Sequence, residues 1–295
     1  MSPRGIALIL LCNLIWSLNV IVSRVAVSDL GAPPIAYAFL RSVIVMVVLA
    51  PLLRPTPEKL WRVMLVGLAI SGGSFALLFM GLETASPSAA GIVGLTGAPM
   101  TVLFAILFLG ERVRWRRALG IALAFIGVLI AVSGRGAAGA TEGLLLVFAG
   151  AVVGALGSVF VKRIDIGSVR LQAWAALASV LVLGPLSVAT EAPIYPVFGE
   201  APLELIGCLF FAAIVTSVGA HSIYYRLLQD NDANLVVPLT LLSPLFTVAL
   251  GAWLTNDIVG INLIIGAAIA VVGVAIIVLR PSETFSKRLL VRGRL

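Results

Sequence analysis

The chain is cut into ten apolar stretches, each close to the 20 or so residues that a helix needs to cross the hydrocarbon core of a bilayer. They run approximately Ile6–Val27, Pro33–Leu53, Leu60–Leu82, Ser86–Leu109, Trp115–Ser133, Gly143–Val161, Leu171–Ala189, Leu203–Leu228, Ala233–Leu254 and Ile258–Leu279. Inside a bilayer every backbone N–H and C=O must be satisfied within the segment, so such runs fold as helices. The expected class is an all-α integral membrane protein with ten transmembrane helices. Composition agrees: 61% of the residues are hydrophobic and 11% charged, whereas a soluble domain is about 25% charged. Such a chain has too little polar surface to face water all round, which makes membrane lipid its solvent. The first run follows Arg4 like a signal peptide, but it is too long for one and lacks a small-residue cleavage site, so it counts as a span.

The basic residues set the orientation. With the N-terminus in the cytoplasm, 17 of the 20 Lys/Arg fall on the inner side, and only Arg24, Arg41 and Arg135 fall outside. Positive charge is retained on the cytoplasmic face, so both termini are expected there, with 282–295 as a basic cytoplasmic tail. The net charge of +7 is therefore a topology signal, and no nucleic-acid partner is expected. The connectors are too short for a separate domain outside the membrane.

The chain also repeats itself. Leu95-Thr96-Gly97-Ala98-Pro99, then Gly110-Glu111, Gly120 and Gly127, is echoed by Thr240-Leu241-Leu242-Ser243-Pro244, then Asn256-Asp257, Gly266 and Gly273. The offset is 145 residues at the prolines and 146 at the glycines. Two units follow, 1–137 and 138–281, each of five spans. An odd number of spans starts the second unit on the opposite side, so the repeats are inverted. In folds of that kind the substrate site lies near the midplane between the halves.

The ordered set Trp16-Ser17-Leu18-Asn19, Arg41, Pro99…Gly110-Glu111…Gly120…Gly127, Lys162, Ser243-Pro244, Asp257, Gly266 and Gly273 resembles the drug/metabolite transporter superfamily, specifically its EamA-type ten-helix exporters. The resemblance covers nearly the whole chain. It implies a secondary carrier of small metabolites in a bacterial inner membrane, with amino acids, aromatic ones included, as leading substrates. Such members also export drugs, and related branches move nucleotide sugars and triose phosphates, so a drug/nucleotide-sugar-type antiporter is the alternative. The second copy departs from the usual Gly-Glu pair in carrying Asn256-Asp257, and its acid is expected to cap the following helix.

Polar groups at membrane depth are costly and each needs an account. In the first span Asn13, Trp16 and Asn19 belong to a polar-aromatic face that forms either a cavity wall or interhelical hydrogen bonds. Arg41 could clamp a substrate carboxylate with its planar fork or snorkel to the outer headgroups. His221, the sole histidine, could titrate during transport or stay neutral on a backbone carbonyl. Phe75, Phe79 and Tyr224, with Tyr225, supply aromatic surface suited to a hydrophobic amino acid, or ordinary packing. Pro99 and Pro244 mark matched hinges, with Thr96, Thr240 and Ser243 placed to satisfy the freed carbonyls. Gly120, Gly127, Gly266 and Gly273 suit close packing of spans five and ten.

No acidic residue lies mid-span, so facilitated diffusion competes with proton exchange as the coupling mode. Cys12 and Cys208 show neither disulfide nor metal spacing, and no metal or cofactor is expected. An intramembrane serine enzyme is disfavoured: there is one histidine and no Gly-x-Ser-x-Gly. Monomer and homodimer both stay open, since small-residue faces serve internal packing as well as dimers.

Overall fold

The computed structural model describes residues 2–110, 115–134, 140–161, 163–231 and 236–279, without the side chains of Tyr225, Leu228, Gln229 and Val237. Glu111, Lys162, Arg135, the Tyr225 side chain and the basic tail lie outside that description. Among the described residues there are nine apolar helices of membrane length and one shorter one. We number them α1 Pro3–Asp29, α2 Pro34–Leu53, α3 Leu60–Leu82, α4 Pro87–Leu109, α5 Trp115–Val132, α6 Thr141–Val161, α7 Ser168–Thr190, α8 Pro202–Tyr224, α9 Pro238–Leu254 and α10 Ile261–Leu279. The helix of α8 continues to Asp230, and a short helix, Tyr195–Glu200, precedes it. Arg4, Arg54, Lys59, Arg62, Arg163, Arg170 and Arg226 mark one end of the bundle, the basic end. Asp29, Glu83, Glu142, Glu191, Glu204 and Asp257 mark the other, the acidic end.

Helix starts follow local chemistry. Ser2 caps α1 by accepting from Gly5 N, and Pro3 takes the first position, where no amide hydrogen is needed. Ser86 and Pro87 do the same for α4. Gly110 ends α4 at φ 65°, a left-handed turn that glycine adopts without strain.

The two marked prolines break their helices rather than merely bending them. α4 stops at Gly94, turns through Leu95 and Thr96, and restarts at Gly97 with Pro99 third in the new segment. α9 opens as a tight 3-10 stretch, Val237–Leu241, and restarts at Leu242 with Pro244 again third. A proline removes one amide donor and crowds the carbonyl four residues back. At the third position of a fresh helix the missing donor costs nothing. The 3-10 start and Pro238 leave α9 shorter than its apolar run.

Helix pairings show a pattern. α5 lies on α10, α4 on α9 and α2 on α7; α3 packs on α6 and α7, α8 on α1 and α2, α1 on α9, and α4 on α6. Exchanging each helix with the one five places along reproduces the same set. The α5–α10 seam is the tightest contact in the bundle, because its glycines let backbones touch. A Cβ at Gly127 would collide with the Ala270 backbone, and one at Gly266 with that of Ala131. Large apolar side chains such as Leu107, Leu129, Val188 and Trp253 point outward, as lipid contact requires.

Apolar packing is unequal along the bundle. The largest cluster joins Ala26, Tyr37, Phe79, Leu82, Ile92, Leu144, Leu183 and Leu205, concentrated toward the acidic end. The basic end holds three smaller clusters, around Ile9 and Val236, around Val45 and Ala176, and around Val63 and Trp174.

Candidate functional site

Between the basic-end clusters lies a cavity of about 340 Å³. It is lined by Arg41 of α2, by Ile70, Ser71 and Phe75 of α3, and by Ser158 and Val161 of α6. α7 adds Ser168, Leu171, Gln172 and Ala175, and α8 adds His221. α3, α6, α7 and α8 contribute their basic-end portions, and Arg41 and Phe75 form the deep end near the membrane centre.

One widened helical segment contributes to this wall and a second stands behind it. α3 is π-helical over Leu68–Gly73 and α8 over Phe211–Ala220. Shifted by the repeat offset, the first falls within the second. A π segment redirects carbonyls away from the regular ladder and is frequent at functional sites. Here they hold side chains. Arg41 Nε donates to Ala212 O at 3.4 Å and to Ser217 Oγ at 3.1 Å, and Nη2 donates to Ser217 Oγ at 2.7 Å. The Ser217 hydroxyl in turn donates to Ala212 O at 2.7 Å. Gln172 Nε2 donates to Ser217 O. The guanidinium carbon sits 3.8 Å from the centre of the Phe75 ring, a cation–π contact. His221 Nδ1 lies 2.9 Å from Thr216 O. A carbonyl only accepts, so Nδ1 carries a hydrogen.

Arg41 is 4% exposed, and among the described residues no carboxylate pairs with it. Snorkelling to the outer headgroups is not its position: the side chain turns toward α8 and the cavity.

The residues expected at the site are distributed as follows. Arg41, Phe75 and His221 share the cavity. Trp16 stands behind it, 5.5 Å from the His221 ring and 5.2 Å from Tyr224. Phe79 is fully buried behind Phe75, between it and Tyr37. Asn13 is buried between α1 and α9, donating to Ile9 O at 2.7 Å and Leu239 O at 3.1 Å. Asn19 is also buried, and its Oδ1 has no hydrogen-bond partner among the described residues. Thr96 donates to Val93 O at 2.7 Å, bridging the break in α4. Thr240 lies half-buried in the 3-10 start of α9. Ser243 and Pro244 border a second chamber of about 260 Å³, beside Ser74, Gly91, Gly94 and Gly150. Pro99 is buried at the restart of α4. Gln172 and Ser217 were not expected here. A glutamine amide inside an apolar run was the available signal for the first; the second is marked only by its neighbour across the bundle.

The acidic end is closed by helix caps supplied from distant segments. Glu191, past the end of α7, accepts from Ile35 N at 2.7 Å and Ala36 N at 2.8 Å in the first turn of α2. Asp257 accepts from Ser88 N at 2.8 Å in the first turn of α4, and from the Thr255 hydroxyl at 2.8 Å. Asp257 was expected to cap the helix that follows it. It caps α4 instead, because α9 crosses α4 so closely at Gly251 that a Cβ there would strike both Ser88 and Asp257. Glu83 stands nearby. Partial burial, and then the charge of Glu191, push its carboxyl above the ordinary range.

The sequence profile of the EamA-like transporter family matches residues 3–133 and again 141–279. The chain belongs to the EamA-like transporter family. It is a multi-pass membrane transporter. A probable amino-acid metabolite efflux pump of Escherichia coli (strain K12) is 28% identical over 267 residues, covering 87% of this chain and 89% of that protein. A protein of the same description from Salmonella typhimurium is 29% identical over 286 residues, covering 94% and 95%. One solved crystal structure shares the fold at a TM-score of 0.62 and 20% identity, over 94% of this chain and 98% of the other.

Proposed function

We propose that this EamA-family member exports a small metabolite, an amino acid with a hydrophobic or aromatic side chain, across a bacterial inner membrane by alternating access. The observation that carries the reading is Arg41: a buried guanidinium with no carboxylate partner among the described residues, resting on Phe75 in a mid-membrane cavity. An unpaired charge at this depth is costly, and a carboxylate ligand relieves that cost through a bidentate pair. The apolar lining, Ile70, Phe75, Val161 and Leu171, suits the remainder of such a ligand.

Alternating access is supported by the unequal ends. The cavity approaches the basic end, which the positive-inside rule assigns to the cytoplasm, and the acidic end is capped. That is the loading state of an exporter. The twofold match of the family profile, the pairings preserved on exchanging αn with αn+5 and the matched π segments all favour two inverted repeats that exchange roles. The relatives named as amino-acid metabolite efflux pumps support the substrate class.

The test is counterflow in proteoliposomes loaded with phenylalanine, tryptophan, threonine, cysteine or a nucleotide sugar. Aromatic amino acids are expected to exchange with saturation. Movement of phosphorylated sugars alone would overturn the substrate assignment, and flux without counterflow would replace the carrier by a channel.

A further inference from the structure

We infer that this cavity recognises its ligand through the carboxylate alone, so that an aromatic carboxylate without an amino group binds about as well as the amino acid. The inference rests on the site of the proposed function and narrows its substrate class to carboxylates with an apolar body.

Arg41 is presented in a fixed pose. Its Nε and one Nη2 hydrogen are taken by Ser217 Oγ and Ala212 O, and its face is taken by Phe75. Both lone pairs of Ser217 Oγ are thereby committed to Arg41, since its own hydrogen goes to Ala212 O. Gln172 anchors the Ser217 carbonyl from α7. Among the described residues Nη1 makes no hydrogen bond. What is left free is the end-on edge of the guanidinium, Nη1 with the second Nη2 hydrogen, the geometry that receives both oxygens of a carboxylate.

No charged group among the described lining residues awaits an ammonium; the acceptor open to one is the neutral Gln172 Oε1, which is buried without a hydrogen-bond partner there. Among the described lining residues Arg41 is the one permanently charged side chain, and none is acidic. Asp165, in the connector between Val161 and Ser168, is not among the lining residues, and Glu83 and Glu191 stand at the capped end. The lining hydroxyls of Ser71, Ser158 and Ser168 are neutral acceptors, and Ser158 already donates to Gly154 O at 2.7 Å. An ammonium entering here leaves bulk water without meeting an opposite protein charge, beside a fixed positive one. Its contribution to binding is therefore small, whereas removing the carboxylate leaves two cations in one apolar pocket.

The test uses the full chain. Counterflow of labelled phenylalanine is challenged with 3-phenylpropanoate and with phenethylamine, and binding of each is measured by calorimetry on wild type, Arg41→Gln and Ser217→Ala. We expect 3-phenylpropanoate to bind within about threefold of phenylalanine and phenethylamine at least about thirtyfold more weakly. Arg41→Gln should weaken carboxylate binding about a hundredfold. Ser217→Ala, which keeps the charge but frees the fork, should weaken it about fivefold. Phenethylamine competing as well as phenylalanine would overturn the inference while leaving amino-acid transport standing. Failure of every amino acid to exchange, with 3-phenylpropanoate still bound by wild type and weakened that far in Arg41→Gln, would overturn the proposed substrate and leave the inference standing. Absence of carboxylate binding to wild type would overturn it outright.

Discussion

The acidic and basic ends of this bundle solve the same packing problem in opposite ways. At the acidic end, side chains from most of the helices join one apolar cluster, and two carboxylates lock onto helix starts from distant segments. At the basic end the apolar contacts fall into three separate groups, and Arg41, Gln172 and His221 face the space between them. In lipid, apolar contact alone gives little drive for helices to associate, because acyl chains are equally apolar. The acidic end is therefore held by close fit and by directional polar bonds. On the proposed alternating-access reading, both would be exchanged for a similar set at the other end once in every cycle.

The largest effect is expected where the open end depends on one charge. Arg41→Gln should cut kcat/KM for the transported substrate by about a hundredfold, the scale of losing a buried bidentate ion pair. The protein should still fold, because glutamine satisfies the Ser217 hydroxyl. Unchanged flux in a monodisperse Arg41→Gln variant would show that the open end is not where substrate binds.

Next comes the seam that both ends share. Gly127→Leu places a side chain where the backbone of Ala270 already lies. Forcing α5 from α10 should cost about 2 kcal/mol of stability, read as a lower midpoint of thermal aggregation in detergent. Gly94→Ala, with open space around it, is the control that should leave the midpoint unmoved. Equal behaviour of the two variants would remove the seam as the shared scaffold.

The capped end should respond more mildly. Asp257→Asn leaves the Ser88 N–H facing a weaker, neutral acceptor, a loss of about 1 kcal/mol. That shifts the balance between the two open states about fivefold. Ser243→Cys reports it, since this position borders the inner chamber while the native Cys12 and Cys208 are buried. An impermeant thiol reagent added from the acidic side should label Ser243→Cys faster in the Asp257→Asn background. Equal rates would make the cap a local detail and not a lock.

What could be read beforehand follows the range of each signal. Helix number is written in apolar run lengths, and the breaks in α4 and α9 are written in Pro99 and Pro244, because proline acts on its own turn. The polar-aromatic face of the first span, Asn13 included, was also visible, but periodicity gives a face and not its neighbour. Asn13 bonds across to α9 at Leu239 O, and Ser17, on the same helix as Asn13, bonds to Ser243 O. The partner of Asp257 was misjudged for the same reason, since the nearest helix in sequence is not the nearest in space. Ser217 was invisible because its role depends on a π segment and on the register of α2 against α8, and neither is encoded within a single helix.

The smallest expected effect concerns pH at the capped end. Glu83 has a raised pKa because it is partly buried and stands near Glu191. A carboxyl with a raised pKa holds its proton more tightly in the closed arrangement than in free solution, so closure is favoured as pH falls. The favourable contribution is fully present below the ordinary value of 4.5 and is lost as pH rises through the raised one. Neutralising Glu83 removes repulsion from Glu191 while Glu191 keeps its two bonds to the start of α2. Labelling of Ser243→Cys from the acidic side should therefore slow as that side is acidified, and Glu83→Gln should hold the slow rate at every pH. An acid-induced increase in labelling would overturn the role given to Glu83 at the capped end.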